Sequence, residues 1–279
     1  MPYLELIDET LDINSTENYD LSVEISQDNL SFCILDSIRN KFILLRSYQS
    51  EKDKKYHQDD LGEIVIKDEF LTKKYRKTNI ITPSFRFTLV PSPLFEAEKK
   101  DEYFLLNHSM QENQTLQVNR IKEPDSYLIY SQLNSITDLV NRYWPGQQVS
   151  HHLKPWLTYA SNLANDHNEY LFIHMEKEFF NLAVYSNGKL KLCNSFIYRN
   201  STDILYYTLN IVKTQGLKQD LITILSGHVK RRDNLFTEMS AYIKNIKYAE
   251  PGSSSVFSYV MNEVDLFSLI NILSSASCA

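Results

Sequence analysis

Glycine is scarce in this 279-residue chain, with six in all. Loops that wrap phosphate use glycine to bring backbone N–H groups close to the oxygens, so few places remain to build one. Cysteine is scarcer still. Cys33, Cys193 and Cys278 are odd in number and far apart in sequence, so neither a disulfide framework nor a zinc site is indicated. Positive charge is in deficit, with 29 Lys and Arg against 35 Asp and Glu and a net charge of −6. That balance argues against a general nucleic-acid binder. Short basic runs occur (Lys52, Lys54, Lys55; Lys73, Lys74, Arg76, Lys77; Lys230, Arg231, Arg232), but acidic residues sit near most of them and they read as solvated surface. No apolar run approaches the roughly 20 residues needed to span a bilayer. Met1 to Glu5 shows no basic region before an apolar core, so no secretory signal and a reducing, cytoplasmic setting are expected.

The chain does have the material for a core, at 43% hydrophobic and 12% aromatic residues. It also has an internal repeat. Leu21 to Asp36 and Leu171 to Ser186 each read as an apolar strand, a polar turn and a returning strand with alternating apolar positions. Tight turns follow at Ser37 to Lys41 and at Ser186-Asn187-Gly188-Lys189, the second a strong Asn-Gly hairpin signal. Third strands are expected over Phe42 to Tyr48 and Leu190 to Tyr198.

Helices should follow each meander. In the second copy, Asn200 or Ser201 can cap a helix that Gly216 stops, with Ile204, Leu205, Leu209, Ile211 and Val212 on one face. The first copy places a less regular helix at about Asp59 to Tyr75. Fourth strands are expected at Phe85 to Val90 and Leu221 to Leu225, then helices near Leu94 to Asn107 and Asp233 to Ile243. Fifth strands fall at Ser126 to Ser131 and Asn245 to Tyr248, with closing helices at Ile136 to Tyr143 and Val264 to Leu273. Residues from Trp144 to about Asn168 read as a bridge with a short helix around Trp156 to Leu163. The expected fold is α/β in two halves, 1–165 and 166–279, each a mixed five-stranded sheet (antiparallel meander plus parallel strands) flanked by helices.

This order, given twice, resembles the actin-like ATPase superfamily with its duplicated RNase H-like fold: sugar kinases, chaperone ATPase domains, bacterial filament proteins and pilus-assembly scaffolds. Thr88-Leu89-Val90-Pro91-Ser92-Pro93-Leu94-Phe95 and the ending Asp265-Leu266-Phe267-Ser268-Leu269 resemble, more closely, a bacterial domain family of similar length with an actin-like fold and no established activity. The resemblance covers nearly the whole chain and implies a fold rather than a reaction.

In such ATPases the first hairpin of each half cradles phosphate through an Asp-x-Gly pattern. The corresponding positions here are Glu24-Ile25-Ser26 and His174-Met175-Glu176, and neither turn contains glycine. Glu176 and Glu178 stand where an anion would lie, with Lys177 between them. The adenosine-side loop, Ser226-Gly227-His228, has one glycine where relatives have a pair. The vestigial nucleotide positions are thus Glu24, Ser26, Gln27, Glu176 and Gly227, and no catalytic residue or metal ligand is assigned. Glu24, Asp28 and Asp36 raise a two-metal nuclease as a lesser possibility.

His151-His152 lacks metal-ligand spacing and is expected to be exposed linker, while His174 should be a satisfied polar position. Trp144 and Trp156 are expected to pack the halves together, with a binding face as the alternative. Overall, a non-enzymatic scaffold or interaction protein is expected, without cofactor, with a protein partner and compatible with a homodimer. The alternative is a divergent nucleotide-binding protein or phosphotransferase that holds ATP and Mg²⁺ through Ser26, Gln27 and Gly227.

Overall fold

In the computed structural model, residues 1–51, 54–218, 220–252 and 255–277 are described. Lys52 and Cys278 therefore lie outside the described residues. The chain opens with β1 (Leu4–Ile7) and a meander of β2 (Tyr19–Ile25), β3 (Asn29–Asp36) and β4 (Lys41–Gln49). Helix α1 (Gln58–Lys67) leads to β5 (Lys77–Thr82). An excursion follows through β6 (Phe87–Pro91), α2 (Lys100–Leu105), β7 (Gln114–Ile121) and β8 (Ser126–Leu133). The chain returns by α3 (Asn134–Tyr143), β9 (Val149–His151) and α4 (Leu153–Leu163). A second meander, β10 (Glu169–Met175), β11 (Phe179–Ser186) and β12 (Lys189–Ile197), precedes α5 (Ser201–Thr214), β13 (Ile222–Gly227), α6 (Asn234–Ser240) and β14 (Asn245–Tyr248). Short β15 (Val256–Phe257) and α7 (Ile270–Ser277) end it.

The two large sheets share one plan. The first runs β1-β4-β3-β2-β5-β9, with β15 also on β4, and the second runs β12-β11-β10-β13-β14. Both meanders have strands of seven, eight and nine residues. Both slip register at the same step, Ile34/Leu35 in one and Val184/Tyr185 in the other. In each, the first meander strand pairs in parallel with the strand after the crossover helix, β2 with β5 and β10 with β13. The turns between second and third strands place Asn40 and Asn187-Gly188 at positive φ, as the hairpin signal requires.

Helices cover the sheets, so the central strands β2, β3, β10 and β11 are buried along nearly their whole length. On one face of the first sheet, Leu21, Val23 and Phe32 pack with Leu61 and Val65 of α1 and Leu139 and Val140 of α3. On its other face, Cys33, Leu35 and Leu45 pack with Met261 and with Ile272 and Leu273 of α7. In the second sheet, Phe172 and Tyr185 pack with Trp156 and Leu157 of α4, and the same core takes in Ile204 of α5 and Met239 of α6. The helix after the first sheet therefore packs on the second sheet, and the helix at the chain's end packs on the first. α4 and α7 contact each other between the sheets.

Several expectations for the first copy need correction. The fourth strand is β5, whereas the expected strand at Phe85 to Val90 is β6 of a separate sheet ordered β6-β8-β7. The expected fifth strand, Ser126 to Ser131, is β8 of that same small sheet, and the true fifth strand is β9, inside the stretch read as a bridge. Helix α1 stops at Lys67 rather than Tyr75, because Asp68 turns the chain. Its carboxylate accepts from Phe70 N–H (2.8 Å), Arg46 Nη1 (2.8 Å) and Tyr48 O–H (2.6 Å). The first sheet has seven strands rather than five, since β1 and β15 extend its edge. Trp144 belongs to the first core, donating from Nε1 to Leu71 O (3.0 Å), so it does not join the sheets.

Candidate functional site

The carboxyl ends of β2 and β10 bring the two hairpin turns together. Ser26 N–H donates to Asn29 O and Glu176 N–H to Phe179 O, each at 2.8 Å, so Ser26 and Glu176 hold the same place in their turns. Two residues earlier, on the same side of each strand, Glu24 answers to His174. The turns are joined by an ion pair, Lys177 Nζ to Asp28 Oδ2 at 2.9 Å. Asp28 also accepts from Ser26 O–H at 2.7 Å. Burial works to raise the Asp28 carboxyl, but the hydrogen bonds from Ser26 and Lys177 outweigh it and hold the group below its ordinary value. Lys55 reaches the same pair of turns, 3.3 Å from Gln27 Oε1 and 3.9 Å from Glu178 Oε1.

Glu24 has the opposite character. Its carboxyl is pushed up to about 8, first by burial and then by the negative charges of Glu176 and Asp28. Glu24 is therefore uncharged at neutral pH, and the carboxylates around the turns are Asp28, Glu176 and Glu178, with Lys177 engaged by Asp28 and Lys55 near Glu178. These carboxylates outnumber the lysines, Lys55 and Lys177, that reach the turns.

Behind Glu176 lies a buried polar chain that sequence reading missed. His174 Nδ1 is 2.8 Å from Ser226 Oγ, and its Nε2 lies 3.2 Å from Glu176 Oε1 and 2.8 Å from Asn271 Nδ2 on α7. The satisfied-position reading of His174 describes this arrangement. His151 and His152, by contrast, are fully buried rather than exposed linker residues. His151 Nδ1 accepts from Leu153 N–H (3.2 Å), so its Nε2 carries the proton and donates to Ser84 O (2.9 Å). Burial lowers His151 to about 3 and lowers His152 well below its ordinary value, so both rings are neutral. His152 Nδ1 accepts from Ser84 N–H (3.3 Å), and its Nε2 meets the Asn181 amide at 2.8 Å. The signal that could have found them is their setting, between Val149 and the apolar start of α4.

Gly227 closes β13 against Met175. Its φ is +81°, and a Cβ there would lie 2.1 Å from Met175 O. This glycine is required by contact between two strands, a demand that exists whether or not a ligand is bound. Asp36 lies at the far end of β3, opposite Tyr19, and its carboxylate accepts from Ile38 and Arg39 N–H groups. It therefore does not converge with Glu24 and Asp28, and among the described residues no group of three His, Cys, Asp or Glu is placed to hold a metal ion. Two cavities lie elsewhere. One of about 260 Å³ opens between α1 and α3 beside Gly62 and Tyr143, and one of about 290 Å³ lies beside Asp20 and Arg76. Among the described residues no helix is long and apolar enough to cross a membrane.

Comparison with known proteins bears on the family and the fold. A family model described as a protein of unknown function, DUF3822, matches residues 8–246. A Bacteroides thetaiotaomicron protein with an actin-like ATPase fold and unknown function superposes with a TM-score of 0.79 at 22% identity, over 97% of this chain and all of that one. A PilM–PilN type IV pilus biogenesis complex superposes with a TM-score of 0.58 at 10% identity, over 92% of this chain and 97% of that one. At these identities the likeness shows the fold, which is that of the actin-like ATPases. No curated protein matches the sequence.

Proposed function

The chain belongs to the DUF3822 family of proteins of unknown function, and on that premise we propose that it is a non-enzymatic interaction or scaffold protein built on a degenerate actin-like ATPase fold. The observation that supports this reading is the pair of facing turns, where a buried Glu24 lies beside Asp28 and Glu176 and Lys177 is held by Asp28, a poor setting for a phosphate. We read the matched strand orders, lengths and register slips as an internal duplication of an RNase H-like unit, with halves of 1–165 and 166–279. The pilus biogenesis complex offers an analogy, since there a protein of similar fold is found with a partner. A cytoplasmic pseudo-ATPase that presents a surface to another protein fits these features.

Calorimetry and thermal shift with ATP, ADP and Mg²⁺ test the proposal. A one-site ligand at 100 times its Kd adds about 2.7 kcal/mol of stability, worth roughly 5 °C in a chain of this size. The expected result is no shift and no heat at millimolar nucleotide. Saturable micromolar binding, weakened by Glu24→Ala or Ser26→Ala, would replace the scaffold with a divergent nucleotide binder.

A further inference from the structure

The two sheets differ most at one edge. In the first sheet, the outer edge of the third meander strand is covered: β1 pairs antiparallel with Leu44 to Ser47 of β4, and β15 pairs with Lys41 and Phe42. In the second sheet the strand in the same position is β12, and among the described residues no strand pairs with its outer edge. It is nine residues long. A bare edge of that length presents a row of backbone donors and acceptors ready for another strand.

We propose that β12 is a docking strand that takes an extended, alternating acidic and apolar segment of a partner protein as a sixth, antiparallel strand. The chain supplies its own template for such a segment. β1 reads Leu4-Glu5-Leu6-Ile7 and runs on into Asp8, whose carboxylate meets Lys41 Nζ of β4 at 2.7 Å; Lys41, opposite Asp36, holds the place in its meander that Lys189, opposite Ser186, holds in β12. On β12 the cations are Lys189 and Lys191, both exposed and neither in an ion pair with a described residue. Ile197, 58% exposed at the other end, offers an apolar contact. Edge lysines commonly guard against indiscriminate pairing. They leave charge-selective pairing open, where backbone hydrogen bonds supply affinity and alternate side chains supply specificity. A second copy of β12 would bring two more lysines and no carboxylate, so the charge favours an acidic partner over self-association. The inference rests on the scaffold reading for the existence of a partner, but its test is blind to nucleotide binding, so either can fail alone.

The probe is a synthetic peptide carrying residues 2–9 of this chain, added to the full-length protein, with amide hydrogen exchange followed over residues 189–197. Protection of that stretch by about tenfold or more at saturating peptide is expected. The double variant Lys189→Glu, Lys191→Glu should weaken binding by about tenfold and instead prefer a peptide whose acidic residues are replaced by lysine. Absence of protection over 189–197 at millimolar peptide overturns the proposal. So does protection that follows protein concentration alone together with a dimer in sedimentation, which would assign the edge to a second copy.

Discussion

Replacing Glu24 by glutamine should raise the stability of the protein at alkaline pH and leave it unchanged near pH 4. The folded state holds the Glu24 proton up to about pH 8, against an ordinary value of 4.5. Between those values the folded chain carries one more proton than the unfolded chain, so stability falls as pH rises through this window. Each unit is worth about 1.4 kcal/mol, which sets a ceiling of roughly 5 kcal/mol on the loss complete above pH 8. Glu24 retains some exposure, and solvent screening brings the expectation to the order of 2 kcal/mol. Glutamine keeps the shape and cannot ionise, so this loss disappears. Urea unfolding of both proteins at unit steps from pH 4 to 9 would show curves that coincide at the acid end and separate steadily above pH 5. Parallel curves across the range would mean that Glu24 is ionised without cost, and that the turns do not crowd it with Glu176 and Asp28.

Gly227→Ala must move Met175 or the end of β13 and also strain a positive φ, so a loss of about 2–4 kcal/mol in urea unfolding is expected; under about 1 kcal/mol would refute the close contact. A double-mutant cycle on Asp28→Asn and Lys177→Met should give a coupling of about 0.2–1 kcal/mol, shrinking in 1 M salt because the pair is partly exposed. Coupling that ignores salt would place the pair deeper than described. Trp156→Ala opens a cavity under Phe172 and His174 and should cost about 3–5 kcal/mol, read as a lowered urea midpoint with an unchanged slope.

The second sheet was legible from local chemistry. Asn187-Gly188 marked its turn, and Asn200 caps α5 by accepting from Asp203 N–H at 3.1 Å. The first was harder because local pattern identifies a strand without saying which sheet it joins. Phe87 to Pro91 and Ser126 to Leu133 alternate well and are strands, yet they pair with each other. Lys77 to Thr82 begins with polar residues and lacks a strand signal, though it lies inside the main sheet between β2 and β9. At the site, the two turns and their carboxylates were readable because each is local. The Lys177–Asp28 bridge and the contact of Asn271 with His174 were not, since each joins residues that only tertiary packing brings together.

The exchange of end helices has a mechanical meaning. Each sheet borrows one wall from the far side of the molecule, α7 for the first and α4 for the second, and the two walls lean on each other. Separating the sheets would part α4 from α7 and open the cores of both halves together, so neither half is closed without the other.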